Sequence, residues 1–111
     1  MPTRRLRGAS DSSMSKRRRV LFKFRLYVAD HTPNSTLALT NLTTLCRTYL
    51  PNRYEIEVVD VFRKPKRAVT DGIFLTPAVV RLGPSPIVRV VGTLGQTQET
   101  LKALGLEALS A

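Results

Sequence analysis

Apolar and polar residues alternate over residues 20–29. Val20, Phe22, Phe24, Leu26 and Val28 fall on one face, and Leu21, Lys23, Arg25, Tyr27 and Ala29 on the other. A period of two predicts a strand, and the charges on its second face leave part of it in water. The pattern changes at Thr32-Pro33, where Thr32 suits a helix cap and Pro33 the first helical position, at which a missing N–H costs nothing. Ala38, Leu42, Leu45, Cys46 and Tyr49 then recur at helical spacing, Leu39 and Leu50 widen the stripe, and Pro51-Asn52 stops the helix. Residues 56–61 are apolar on both faces apart from Glu57 and Asp60, which predicts a second strand paired in parallel with the first inside a sheet.

Residues 63–71 are polar and basic, with Pro65 early and Ala68 and Val69 within, and read as a short helix or an irregular segment. Residues 78–82 and 87–91 form two apolar runs joined by Gly83-Pro84-Ser85-Pro86, which predicts a hairpin. Residues 92–95 break the pattern, and residues 96–109 read as a closing helix with Leu101, Leu104 and Ala108 inward. The order βαβ-α-ββα predicts an α/β three-layer sandwich of thioredoxin-like type. In that arrangement the first strand–helix junction carries a Cys-x-x-Cys pair. Here it carries Asp30, His31, Thr32 and Pro33, which points to a binding module and away from an oxidoreductase.

Charge divides the chain in two. Residues 1–19 hold seven basic groups against Asp11, a net of +6, whereas the remainder nets +4. The first segment lacks periodicity and is read as a disordered basic tail, with residues 20–111 as the folded domain. Met14 is an alternative start to Met1. The high pI therefore belongs largely to the tail, and nucleic-acid contact is expected only as non-specific binding by that tail. Cys46 is the single cysteine, so no intrachain disulfide forms, as suits a cytoplasmic protein. No run approaches the roughly 20 apolar residues of a membrane span.

Catalytic chemistry finds little support. His31 has neither a nucleophile nor an orienting partner nearby in sequence and reads as an exposed loop residue. One histidine and one cysteine make no metal set, so no metal is expected. Cys46 falls on the apolar stripe and reads as a buried thiol. Asp60 and Asp71 end or cap elements and are expected to bond locally. The absence of a Walker loop or Gly-x-Gly-x-x-Gly pattern argues against a bound nucleotide, and no cofactor is expected. The densest charge in the body is Arg63, Lys64, Lys66 and Arg67 around Pro65. That basic edge is suited to steer the domain to an acidic protein surface, with Arg81 and Arg89 on the hairpin strands extending it.

Several stretches resemble the KaiB family of circadian-clock regulators. They are Leu26-Tyr27-Val28-Ala29 with Thr32-Pro33-Asn34-Ser35, Val59-Asp60-Val61 with Pro65 and Ala68, Asp71-x-Ile73 with Thr76-Pro77, Pro84-x-Pro86, and Arg89-x-Val91-Gly92-x-Leu94. They run in order from about residue 20 to about residue 106. Departures mark a divergent member: Asp30 stands where the family has Gly, Thr93 where it has Asp, Leu37 at an often basic position, and Ser85 within a proline run. The resemblance implies a non-catalytic protein with two states, one thioredoxin-like and one rearranged and self-associating (a dimer or tetramer). It implies docking on the ATPase ring of a KaiC-like hexamer, which modulates that ATPase's phosphorylation or output. Competition with a sensor histidine kinase, and capture of KaiA, would follow. It also implies a cis bond before Pro77, and places Pro77, Pro84, Pro86, Gly92 and Thr93 in the region that rearranges, where slow X–Pro isomerisation would slow the change. The alternatives are the rearranged fold as the dominant state, and a thioredoxin-like redox or stress protein lacking the cysteine pair.

Overall fold

The computed structural model describes residues 20–106. The basic tail, the choice of start and residues 107–111, with Ala108, lie outside the described residues. Seven elements follow one another: β1 (Phe22–Val28), α1 (Pro33–Tyr49), β2 (Tyr54–Asp60), α2 (Pro65–Thr70), β3 (Ala78–Gly83), β4 (Val88–Val91) and α3 (Thr97–Ala103). The sheet order is β2-β1-β3-β4, with β1 parallel to β2 and antiparallel to β3, and β3 antiparallel to β4. This is the thioredoxin-like arrangement, and not the rearranged alternative.

Strand alternation sends two sets of side chains to opposite faces. Phe22, Phe24, Leu26 and Val28 of β1 join Val79 of β3, Ala38, Leu42, Leu45 and Cys46 of α1, and Leu101 and Leu104 at α3, in the larger core. Tyr27, Val59, Ala78 and Val80 face the other way and close over Ala68 of α2 and Ile73. The sheet is thus the middle layer, with α1 and α3 on one side and α2 on the other.

The β1–α1 junction is sealed without cysteines. The Thr32 hydroxyl accepts from Ser35 N at 3.3 Å, and Ser35 Oγ in turn accepts from Ala29 N at 3.0 Å. Ser35 is buried, so this hydroxyl satisfies donors that water cannot reach. Asp30 lies just before, at φ +53, a left-handed conformation that Gly adopts freely and Asp tolerates.

Two expectations need correction. Strand β2 is parallel to β1 but lies at the sheet edge, not inside it, and Val58 is left 46 % exposed. The closing helix ends at Ala103 instead of continuing to residue 109. Gly105 takes φ +75, Leu106 N donates to Leu101 O at 2.7 Å and Gly105 N to Lys102 O at 3.2 Å. That is the paired-bond stop in which a left-handed glycine closes a helix, with Leu106 and Leu101 buried beside it.

Candidate docking site on the β2–β3 crossover

The chain crosses from β2 to β3 through residues 61–77, and α2 lies in this crossover. The crossover exposes four large apolar side chains: Phe62 (72 %), Val69 (71 %), Phe74 (87 %) and Leu75 (65 %). Single exposed apolar residues are ordinary, whereas four on one short connection make this segment the candidate for an interaction surface. Arg63, Lys64 and Lys66 are exposed among them. A groove of about 740 Å³ runs beside this segment, between the first turns of α1 and the edge strand, and Val28, Leu39, Val58, Arg63 and Lys64 help to line it.

Helix α2 is six residues long, has no side-chain bond at its N-cap and buries Ala68 alone. So short a helix is not stable by itself; polar contacts from three strands hold it. Arg67 grips Glu57 of β2 with both terminal nitrogens, each contact 2.8 Å. Glu57 also accepts from Arg25 Nε at 2.9 Å, its neighbour in register on β1. Arg25 Nη1 reaches Asp71 Oδ2 at 2.8 Å, and the Tyr27 hydroxyl donates to the same oxygen at 2.5 Å. Arg89 of β4 donates from Nε to Asp71 O at 2.7 Å, where α2 ends.

These contacts tune the carboxylates. Hydrogen bonds from Arg67 and then Arg25 hold Glu57 down to about 2. Hydrogen bonds from Tyr27 and then Arg25 hold Asp71 below its usual range, while burial and the bond to Asp71 push Tyr27 up. Depressed acids stabilise the fold fully above their ordinary values, 4.5 for Glu57 and 3.8 for Asp71, and that contribution is lost as pH falls through the folded values. The expected thermal midpoint is therefore flat from neutral pH to about 5 and then drops as the acids protonate. The drop should be shallower in Glu57→Gln. Melting curves followed by circular dichroism check this, and superimposable acid profiles for the two proteins would contradict it.

The predicted residues divide once placed. Arg63, Lys64, Lys66 and Arg67 lie together on the crossover, and Arg89 reaches its end from β4. Arg81 does not extend this surface. Its alternation partner is Val79, so it points to the α1 and α3 side, where it is 7 % exposed. There its Nη1 donates to Leu104 O at 2.6 Å and its Nη2 to Pro86 O at 2.9 Å. Pro77 is buried at the mouth of β3, with Thr76–Pro77, Gly83–Pro84 and Ser85–Pro86 all cis. Pro84 and Pro86 form the β3–β4 turn. Gly92 takes φ +119 and donates its N–H to Pro77 O at 2.8 Å, and Thr93 O accepts from Asn41 Nδ2 at 2.7 Å.

Asp60 bonds locally as expected, its Oδ1 accepting from Phe62 N at 2.9 Å. Asp71 instead bonds to Arg25 and Tyr27 of β1. Arg25, Tyr27 and Glu57 were missed as members of the site. Glu57 interrupting the apolar run Ile56, Val58 and Val59, beside a strand whose second face reads Arg25-x-Tyr27, was the signal that could have found them.

Among the described residues, His31 and Cys46 are not brought together with catalytic partners. The His31 side chain is 95 % exposed and 3.7 Å from Asp30. Cys46 is buried, and burial pushes its thiol up to about 12, far from the thiolate form that reacts. Among the described residues no group of His, Cys, Asp or Glu is placed to hold a metal ion. No helix among them is long and apolar enough to cross a membrane.

A thioredoxin-like domain whose redox junction holds no cysteine, and whose four most exposed large apolar side chains among the described residues lie on the β2–β3 crossover, sets this chain apart from the redox-active thioredoxins. Within the thioredoxin-like class the chain belongs to the KaiB family, whose domain model matches residues 25–106. It is 38 % identical to the circadian clock oscillator protein KaiB of Prochlorococcus marinus, over 84 % of this chain and 78 % of that protein. To KaiB of Synechococcus elongatus it is 36 % identical, over 84 % and 89 %. Its fold also matches two solved structures at 18 % identity each. The N-terminal domain of Synechococcus elongatus SasA matches with a TM-score of 0.66 over 80 % of this chain and 85 % of that one. A chloroplastic thioredoxin z matches with a TM-score of 0.64 over 89 % of each.

Proposed function

We propose that this chain is a non-catalytic clock regulator that docks on a KaiC-like hexameric ATPase through residues 62–75. One observation carries the reading: the crossover exposes Phe62, Val69, Phe74 and Leu75 among the exposed cations Arg63, Lys64 and Lys66, on and beside a short helix tied to three strands. Apolar anchors surrounded by charge are the composition of a specific interface, in which the anchors give affinity and the charges give rate and orientation. The ATPase's nucleotide or phosphorylation state would be read as a difference in affinity. Competition with a sensor histidine kinase for the same ring, capture of KaiA and self-association of the free protein belong to the same proposal. The redox alternative draws no support from a buried, protonated Cys46.

Size-exclusion chromatography with light scattering, on this protein mixed with the KaiC-like ATPase of the same genome, tests the reading. Co-elution that changes between ATP and ADP is expected. A chain that elutes alone with either nucleotide, at concentrations well above micromolar, would sink it.

A further inference from the structure

We propose that Arg67 and Glu57 are a positioning pair for the docking surface: Arg67 does not contact the partner but aims α2 by gripping the edge strand. This rests on the docking reading above and deepens it. Five side chains form a continuous relay, Arg67–Glu57–Arg25–Asp71–Tyr27, through contacts of 2.8, 2.9, 2.8 and 2.5 Å. The relay starts on α2, passes through β2 and β1, reaches Asp71 at the C-cap of α2 and closes on Tyr27 of β1. Both terminal nitrogens of Arg67 are engaged by one carboxylate, the two-pronged geometry that fixes orientation as well as distance. Burial cannot do this work, since α2 buries only Ala68. Arg63, Lys64 and Lys66 are thereby left to carry the charge seen by a partner. The basic edge thus splits into contact residues and a residue that sets their direction.

The two roles of Arg67 predict opposite signs for a mutation at Glu57. If Arg67 contacted an acidic partner directly, Glu57→Gln would remove a competing negative charge and leave binding unchanged or tighter. As a positioning residue acting through Glu57, Arg67 loses its anchor, and binding weakens. The expected loss is roughly threefold or more for Glu57→Gln and for Arg67→Gln, discounted for the partial exposure of the pair. It should appear in the dissociation rate, and the double variant should be no worse than the weaker-binding single. Binding kinetics to the KaiC-like hexamer measure this. Tighter or unchanged binding of Glu57→Gln, or additive losses, overturn the positioning role.

Amide hydrogen exchange on the free protein separates this inference from the docking reading. Residues 66–71 should exchange faster in Glu57→Gln, with β1 and β3 protected as in the unaltered protein. An unaltered chain that never binds the ATPase overturns the docking reading, and the exchange result then decides alone whether Arg67 and Glu57 hold α2 in place. Unchanged exchange in α2 overturns the positioning role whether or not the ATPase binds.

Discussion

Gly105→Ala is expected to destabilise the domain by about 3 kcal/mol, more than any surface change elsewhere. Two costs add. Gly105 sits at φ +75, where a side chain costs roughly 1 kcal/mol or more. An added Cβ would also lie 2.5 Å from Nη1 of Arg81. A flexible side chain in water would step aside, but this guanidinium is buried and bonded to Leu104 O and Pro86 O. Displacing it leaves a buried charge and two carbonyls without their partners, and hydrogen bonds to charged groups contribute roughly 1.5–3 kcal/mol. For a domain of this size the thermal midpoint should fall by more than about 10 °C. Arg81→Met should give a loss of similar size, because the donor also opposes the negative end of α3. The double variant should fall short of the sum, since both changes break one contact. A Gly105→Ala protein within about 1 kcal/mol of the original in urea titration would show that the Arg81 clamp bears no strain and carries little stability.

That clamp was invisible in the sequence for a physical reason. Alternation along β3 puts Arg81 on the same face as Val79, yet a charged residue at the end of an apolar run reads as the point where a strand meets water. Which carbonyls it meets depends on where α3 stops and where the 84–86 turn folds back, and neither is a local property. The stop itself was half legible: Gly105 is the residue that closes helices, but apolar residues continue to Leu109 and favour a longer helix. Strand β2 shows the same limit. Its apolar run predicted parallel pairing with β1, and that held because β1 needs a neighbour on that side. A run of that kind does not reveal whether a second neighbour exists.

The local signals transferred best. Thr32-Pro33 caps and starts α1 as its residue types dictate, Cys46 is buried on the stripe that placed it there, and the element order βαβ-α-ββα is the one observed. The site was legible as a basic cluster at 63–67 but not in its division of labour. Sequence spacing cannot distinguish Lys66, which ends in water, from Arg67, whose fork meets Glu57 of β2 beneath the helix. Only the parallel register of β1 and β2, which sets Arg25 beside Glu57, makes the distinction, and register is a three-dimensional fact.

Reversing two charges on the crossover should severely weaken docking, while reversing two elsewhere should not. The test pair is Lys64→Glu with Lys66→Glu, both exposed on the α2 segment. The control pair is Arg47→Glu with Lys102→Glu, both exposed on α1 and α3 across the sheet. Each pair changes the net charge equally, so long-range attraction to an acidic partner falls by a similar amount in both. Only the test pair also sets like charges against the partner's acids at contact distance, where juxtaposition costs several kcal/mol. The expected loss of affinity for the KaiC-like ATPase is about 100-fold for the test pair and less than about threefold for the control. Added salt should weaken the original protein and the control in parallel, because screening acts on the attraction they share. Phe74→Ala provides an arm independent of charge. A truncated aromatic at an interface centre costs on the order of 2 kcal/mol, a loss of more than tenfold, with no change in the salt dependence. Folding must be intact in all three, which circular dichroism and gel filtration establish, and none of the substituted side chains is buried. Equal losses for the two charge pairs would mean that this protein attracts its partner through overall charge alone, and that the crossover is not where it docks.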